Sequence, residues 1–215
     1  MDYANEEGWT VLYYAITHKR LLVLRELLKA GANPDKSFPI PEVARPISPL
    51  VCAAADGNVD MMAALVESGA AVNGPTNGDG ADAIWKSPLI KASLAGHTEA
   101  MRFLIDHGSD VDYQAPLQHN WSALHAAALK GPLDAVVLLI NRGAHIDCVD
   151  SLLATPLHLA VSSGDIVKIT ALLNAGAKMN TETSQKHRPL DTAYANWSPY
   201  VSESRNLLHL TLSPR

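Results

Sequence analysis

The chain has 215 residues, 47% of them hydrophobic and 18% charged, which is enough apolar material for a core and too little charge for a disordered tail. Its 17 basic and 22 acidic residues give a formal charge of −5 without the basic face that phosphate binding needs, so nucleic acid is not an expected partner. The longest aliphatic run, Ala135 to Ile140, is six residues, far short of a membrane span, and the opening MDYANEEGW lacks the basic and apolar parts of a secretory signal.

The first predicted element pair lies in WTVLYYAITHKRLLVLRELLKAGANPD, residues 9–35, which reads as two short helices closed by a Gly-Ala pair. The layout returns in ISPLVCAAADGNVDMMAALVESGAAVN (47–73) and in KSPLIKASLAGHTEAMRFLIDHGSDVD (86–112). It returns again in WSALHAAALKGPLDAVVLLINRGAHID (121–147) and in ATPLHLAVSSGDIVKITALLNAGAKMN (154–180). A sixth, degenerate copy begins at HRPLDTAYANW (187–197). From Val11, Pro49, Pro88, Ala123 and Pro156 to Gly31, Gly69, Gly108, Gly143 and Gly176 the separation is 20 residues in every copy. From each glycine to the next marker, ending at Pro189, it is 18, 19, 15, 13 and 13. A core of constant length therefore alternates with a connection that absorbs all the variation.

Within each core the local chemistry is readable. Ser48, Ser87, Ser122 and Thr155 stand where an N-cap hydroxyl would accept an orphan amide hydrogen. Pro49, Pro88 and Pro156 fit the first helical turn, which needs no amide donor. The first helices are expected to stop near Gly57, Gly96, Gly131 and Gly164 in a left-handed residue. In the fourth copy the apolar seam is assigned to Leu124, Val137, Leu138 and Ile140. Helix pairs this short need a stacked neighbour to be stable.

TPLHLA (155–160), SALHAA (122–127), AGH (95–97) and the repeated GA…N/D endings resemble the ankyrin repeat, over roughly residues 5–210. The resemblance implies an all-α solenoid of helix-turn-helix units joined by β-hairpin-like loops. It would be one domain over 1–215 with repeats at about 5–37, 43–75, 82–114, 117–149, 150–182 and 183–215, the last a cap. His125 and His158 are then the motif histidines, bonding the helix start and the adjoining repeat.

Two connections are lengthened. KSFPIPEVARPI (36–47) is stiffened by Pro39, Pro41 and Pro46, and TNGDGADAIWKSPL (76–89) mixes glycines with Asp79 and Asp82. As a calcium loop counted from Asn77, the second has Ala81 fifth, Asp82 sixth and Pro88 twelfth, where a ligand, a glycine and a glutamate are required. It reads as a loop between repeats. Cys52 and Cys148 lie far apart without a CxxC, as expected of free thiols in a reducing, cytoplasmic setting. No catalytic residue, metal or cofactor is expected, since GxSxG, GxxxxGK[ST] and Cys/His ligand spacings are all missing from the sequence.

The resemblance also implies that a protein partner meets the residues before each cap and at the end of each first helix. Carried onto this chain, the candidates are Trp9, Ile84, Trp85, Lys86, Leu94, His119, Trp121, Leu129 and Lys130. The expected function is non-catalytic protein binding by a monomer. Because the chain opens close to the first repeat and ends in the cap, a stand-alone inhibitor or adaptor is favoured, for example a bacterial toxin-neutralising immunity protein. The alternative is an enzyme or a small-ligand or metal binder using the loops at 36–47 and 74–86.

Overall fold

The computed structural model describes residue 5 and residues 9–40, 43–74, 87–115 and 120–195. The described helices are α1 Val11–Thr17, α2 Leu21–Lys29, α3 Pro49–Ala55, α4 Val59–Glu67, α5 Pro88–Ala95, α6 Thr98–Asp106, α7 Ala123–Lys130, α8 Leu133–Asn141, α9 Pro156–Ser163, α10 Ile166–Asn174 and α11 Pro189–Ala195. They fall into two compact units. One holds the helix pairs up to Asp110, together with Ala115; the other takes Val111–Gln114 and the described chain from 120 onward.

The helix starts follow from the caps. Ser48 Oγ accepts the Val51 amide at 3.4 Å, Ser87 Oγ that of Ile90 at 3.3 Å, and Thr10 Oγ1 that of Tyr13 at 3.2 Å. Pro49, Pro88 and Pro156 each occupy the first turn. All five marker glycines have positive φ, as the ends of the second helices require. Gly57 is held to glycine twice over: its φ is +66°, and a Cβ would come within 2.6 Å of the His97 ring from the next repeat.

Gly131 departs from the expected left-handed stop. Its φ is −72° and ψ 164°, because the following Pro132 pushes it into extended backbone. Gly96 and Gly164, followed by His97 and Asp165, are left-handed as expected. The fourth copy's seam is also shifted. Val137 is 38% exposed and Ile140 half-buried, while Ala135, Val136 and Leu139 are fully buried beside Leu138. Helix α8 starts directly after Pro132, and that phase turns 135, 136 and 139 inward.

In each unit the core forms between neighbouring pairs. Leu50, Ala53, Ala54, Leu65, Leu89, Ala92 and Leu104 are buried in the first unit, and Leu124, Ala127, Leu139, Leu157, Ala160 and Leu172 in the second. A ladder of side chains ties the repeat ends. Asp35 accepts the Ala71 amide at 3.1 Å, and Asn73 accepts that of Asp110 at 2.8 Å. In the second unit Asp112 accepts from His145 N at 2.7 Å and Asp147 from Lys178 N at 2.9 Å. The Asn or Asp four residues after Gly31, Gly69, Gly108 and Gly143 thus satisfies a backbone donor one repeat further on.

The first of the two lengthened connections carries a pair of short strands. Phe38–Ile40 (β1) pairs antiparallel with Val43–Ile47 (β2), with Phe38 opposite Ile47 and an irregularity after Pro39. The second long connection, 75–86, lies outside the described residues.

Candidate protein-binding edge

In the second unit, three successive loops precede α7, α9 and α11, and the middle one is organised by Asp150. Its carboxylate is buried. Oδ1 accepts the amides of Leu152 and Ala154, both at 2.8 Å, and Oδ2 accepts the Trp121 indole N–H at 3.2 Å. The Asp150 amide donates to the Ala154 carbonyl at 2.9 Å, which closes a tight turn. Gln114 Nε2 donates to the carbonyls of Asn120 at 2.9 Å and Val149 at 2.8 Å, and so fastens the loop before Trp121 to this one. On the other side Ser184 N–H donates to the Leu152 carbonyl at 2.8 Å.

The turn forces Leu153 to φ +59°. The same position three residues before the helix holds Asn120 at +55° and Lys186 at +64°. Asn tolerates this region, whereas a leucine pays about 1–2 kcal/mol to sit there. The strained residue is also 47% exposed, and its neighbour Leu152 is 52% exposed. Beside Leu152 lies an open cavity of about 240 Å³, lined also by Thr183, Ser184, Gln185, His187 and Thr192. Two leucines are therefore held outward on a turn fixed by the Asp150 carboxylate and by backbone hydrogen bonds on both sides. The sequence reading missed Leu152 and Leu153. SLLA in a connection that is elsewhere polar was the available signal.

Beneath this edge the motif histidines are neutral and structural. The Ser122 amide donates to His125 Nδ1 at 3.2 Å, so Nδ1 keeps its lone pair, and Nε2–H donates to the Ala154 carbonyl at 3.1 Å. His158 repeats the arrangement, taking the Thr155 amide at 3.1 Å and donating to the His187 carbonyl at 3.1 Å. Burial pushes both imidazoles below the ordinary histidine range, against the opposing pull of their carbonyl partners and Asp150. These are the helix-start and next-repeat bonds that the resemblance implied.

Cys148 Sγ lies 3.6 Å from His125 Nδ1 and 3.3 Å from Ser122 Oγ, which superficially suggests a nucleophile and its base. The chemistry runs the other way. Burial raises the Cys148 thiol to about 11, and the imidazole is already committed at both nitrogens. Among the described residues no group of three or more His, Cys, Asp or Glu could hold a metal, and no helix is long and apolar enough to cross a membrane.

The other candidates are distributed as follows. Trp9, half-buried in the first unit, packs with its ring centroid 5.2 Å from the tilted Tyr13 ring and 5.9 Å from the edge-on Tyr14 ring. Leu94 is half-buried at the end of α5 in the same unit. Trp121 and Leu129, half-buried, and Lys130, exposed, belong to the second unit. Ile84, Trp85, Lys86 and His119 lie outside the described residues.

Capped helix pairs, side-chain ladders between repeats and an outward apolar loop edge define the class: a repeat-built scaffold of the kind that mediates protein–protein interaction. A family model described as ankyrin repeats in three copies matches residues 50–150 and 115–183, and one described as a single ankyrin repeat matches 7–37. The chain belongs to the ankyrin-repeat family. It is 27% identical over 157 residues to ankyrin repeat and SOCS box protein 3 of Bos taurus, covering 73% of this chain and 28% of that protein. It is 34% identical over 116 residues to the RelA-associated inhibitor of Mus musculus, covering 54% of this chain and 13% of that protein. It is 40% identical over 70 residues to ankyrin repeat and KH domain-containing protein 1 of Homo sapiens, covering 33% of this chain and 3% of that protein. The chain thus spans under a third of the length of each of these relatives. Ankyrin repeats are as a rule non-catalytic interaction modules.

Proposed function

We propose that this chain is a non-catalytic protein-binding module that works by occupying its partner, as an inhibitor or an adaptor. The observation that carries the reading is the Asp150 turn. It spends backbone strain to hold Leu153 outward beside Leu152, with Trp121 fastened to the same carboxylate. Rigid apolar side chains on a polar edge are what protein hot spots are made of. Leu129 and Lys130 on α7 extend the proposed contact within the same unit, and Trp9, Ile84, Trp85, Lys86, Leu94 and His119 are proposed as further contacts. The inhibitor version is supported by the similarity to a relative that is itself named an inhibitor. Its most concrete form is a toxin-neutralising immunity protein, for which the mild acidity of the chain is the motivation. The two free cysteines fit a cytoplasmic setting, and the acidic balance fits a protein partner better than nucleic acid.

The test is quantitative capture from native lysate with the wild type, Trp121→Ala and Leu138→Ala. The reading expects one protein bound by the wild type and weakened thirty-fold or more by Trp121→Ala, about 2 kcal/mol. Leu138→Ala, which deletes a buried side chain, should lose about 2–5 kcal/mol of stability. A Trp121→Ala protein that stays folded and binds normally overturns the proposed edge.

A further inference from the structure

Asn120, Leu153 and Lys186 hold one frame position, three residues before α7, α9 and α11, and all three are left-handed, at φ +55°, +59° and +64°. Asparagine is at ease there; leucine and lysine are not. Two neighbouring loops therefore each hold a strained side chain, one apolar and one cationic, and both are exposed. The Ser184 amide, donating to the Leu152 carbonyl at 2.8 Å, fixes these loops to each other, and α9 packs against α11. The open cavity lies between them, with Leu152 and Ala154 on one side and the 183–187 loop on the other. Charge separates its two ends. Lys186, its side chain 84% exposed, and Arg188, 56% exposed, both reach the one carboxylate of Glu182, each at 3.7 Å. Asp191 turns back to the Arg188 amide at 2.9 Å, and the buried Asp150 is taken up by two amides and the Trp121 indole. The Lys186 end thus shows more cation than carboxylate, and the leucine end shows no charge.

We propose, resting on the protein-binding reading of this edge, that it takes an extended segment of the partner bearing an apolar residue and an aspartate or glutamate three positions apart. Packed helices lie about 8–10 Å from their neighbours, so Leu153 and Lys186 are about one such step apart. A segment in polyproline conformation rises about 3.1 Å per residue and returns to the same face every third residue, a step of about 9 Å. Its apolar side chain enters the cavity against Leu152 and Leu153, and its carboxylate meets Lys186 with Arg188 beside it. A lysine or arginine in place of the acid is repelled, so the cationic end selects among apolar segments.

The test is selection of a random displayed-peptide library on the full chain, followed by affinities of the enriched peptides for Leu153→Asn, Lys186→Asn and Lys186→Glu. The wild type is expected to enrich peptides with an apolar residue three positions from an acid. Leu153→Asn should weaken them at least about tenfold. Lys186→Asn, whose backbone fits as Asn120 does, should melt no lower than the wild type and bind about threefold more weakly, the scale of one exposed ion pair. Lys186→Glu should weaken them further, and lysine in the peptide's acidic position should restore binding to that variant. Peptides that need Leu153 but show no preference for an acid, or that bind Lys186→Glu as tightly as the wild type, overturn this proposal and leave the edge standing. No enrichment at all, or peptides indifferent to Leu153→Asn, overturns the edge and this proposal with it.

Discussion

Trp121 has two separable roles. Its ring supplies apolar surface at the loop base, and its N–H satisfies one oxygen of the buried Asp150. Trp121→Phe keeps most of the ring and removes the donor. It should cost about 1–3 kcal/mol of stability, as expected for a buried acceptor losing a partner, while partner affinity changes little. Chemical denaturation and calorimetry on the same sample separate the two roles. Affinity lost in step with stability would mean that the indole holds the edge together and does not touch the partner.

Among the elements, the turn between α7 and α8 is the one that broke the repeat's own pattern. Pro132 turns Gly131 extended, and the buried Lys168 of α10 donates to its carbonyl. At the same frame position the second repeat has Met61. Lys168→Met should therefore fit sterically yet leave the carbonyl unpaired, at about 1–3 kcal/mol. Adding Pro132→Asn lets Gly131 return to the left-handed stop and should recover part of that loss. A double-mutant cycle by urea unfolding reads the coupling, and strict additivity would sink the account. Such a pair was beyond reach in the sequence. A lysine in an apolar helix reads as a surface residue until its partner, 37 positions away, is placed.

For the molecule as a whole, the buried histidines that tie a helix start to the next repeat, His125 and His158, both lie in the second unit, so its stability should depend on pH. His125 and His158 are held below their ordinary value of about 6.5 in the fold, so the unfolded chain binds more protons as pH drops. Their contribution is complete above about pH 6.5 and declines as pH falls below it. Native-state hydrogen exchange at pH 7 and pH 5 should show amides around α9 and α11 losing protection before those of α3 and α4. Equal loss in both units would contradict this. The repeat frame, the caps and the histidine roles were legible because each rests on bonds between near neighbours or on a pattern seen five times. The strained Leu153, the Asp150 hub and the shifted seam of α8 were not, because each depends on a single departure from the repeat, whose consequence appears only when neighbouring loops are brought together. Trp121 directly precedes the N-cap Ser122, but its bond to Asp150 spans 29 residues and leaves no local trace in the sequence.

Leu153→Asn tests the central claim most directly, because strain and binding pull it in opposite directions. Asn120 shows that asparagine fits this position in the neighbouring loop. The variant should melt at or above the wild-type temperature, as the left-handed backbone is relieved. It should also bind the captured partner at least about tenfold more weakly, a loss of about 1.4 kcal/mol. A variant that binds as tightly as the wild type while melting higher would show that the outward leucine is only strain, and that the binding edge lies elsewhere.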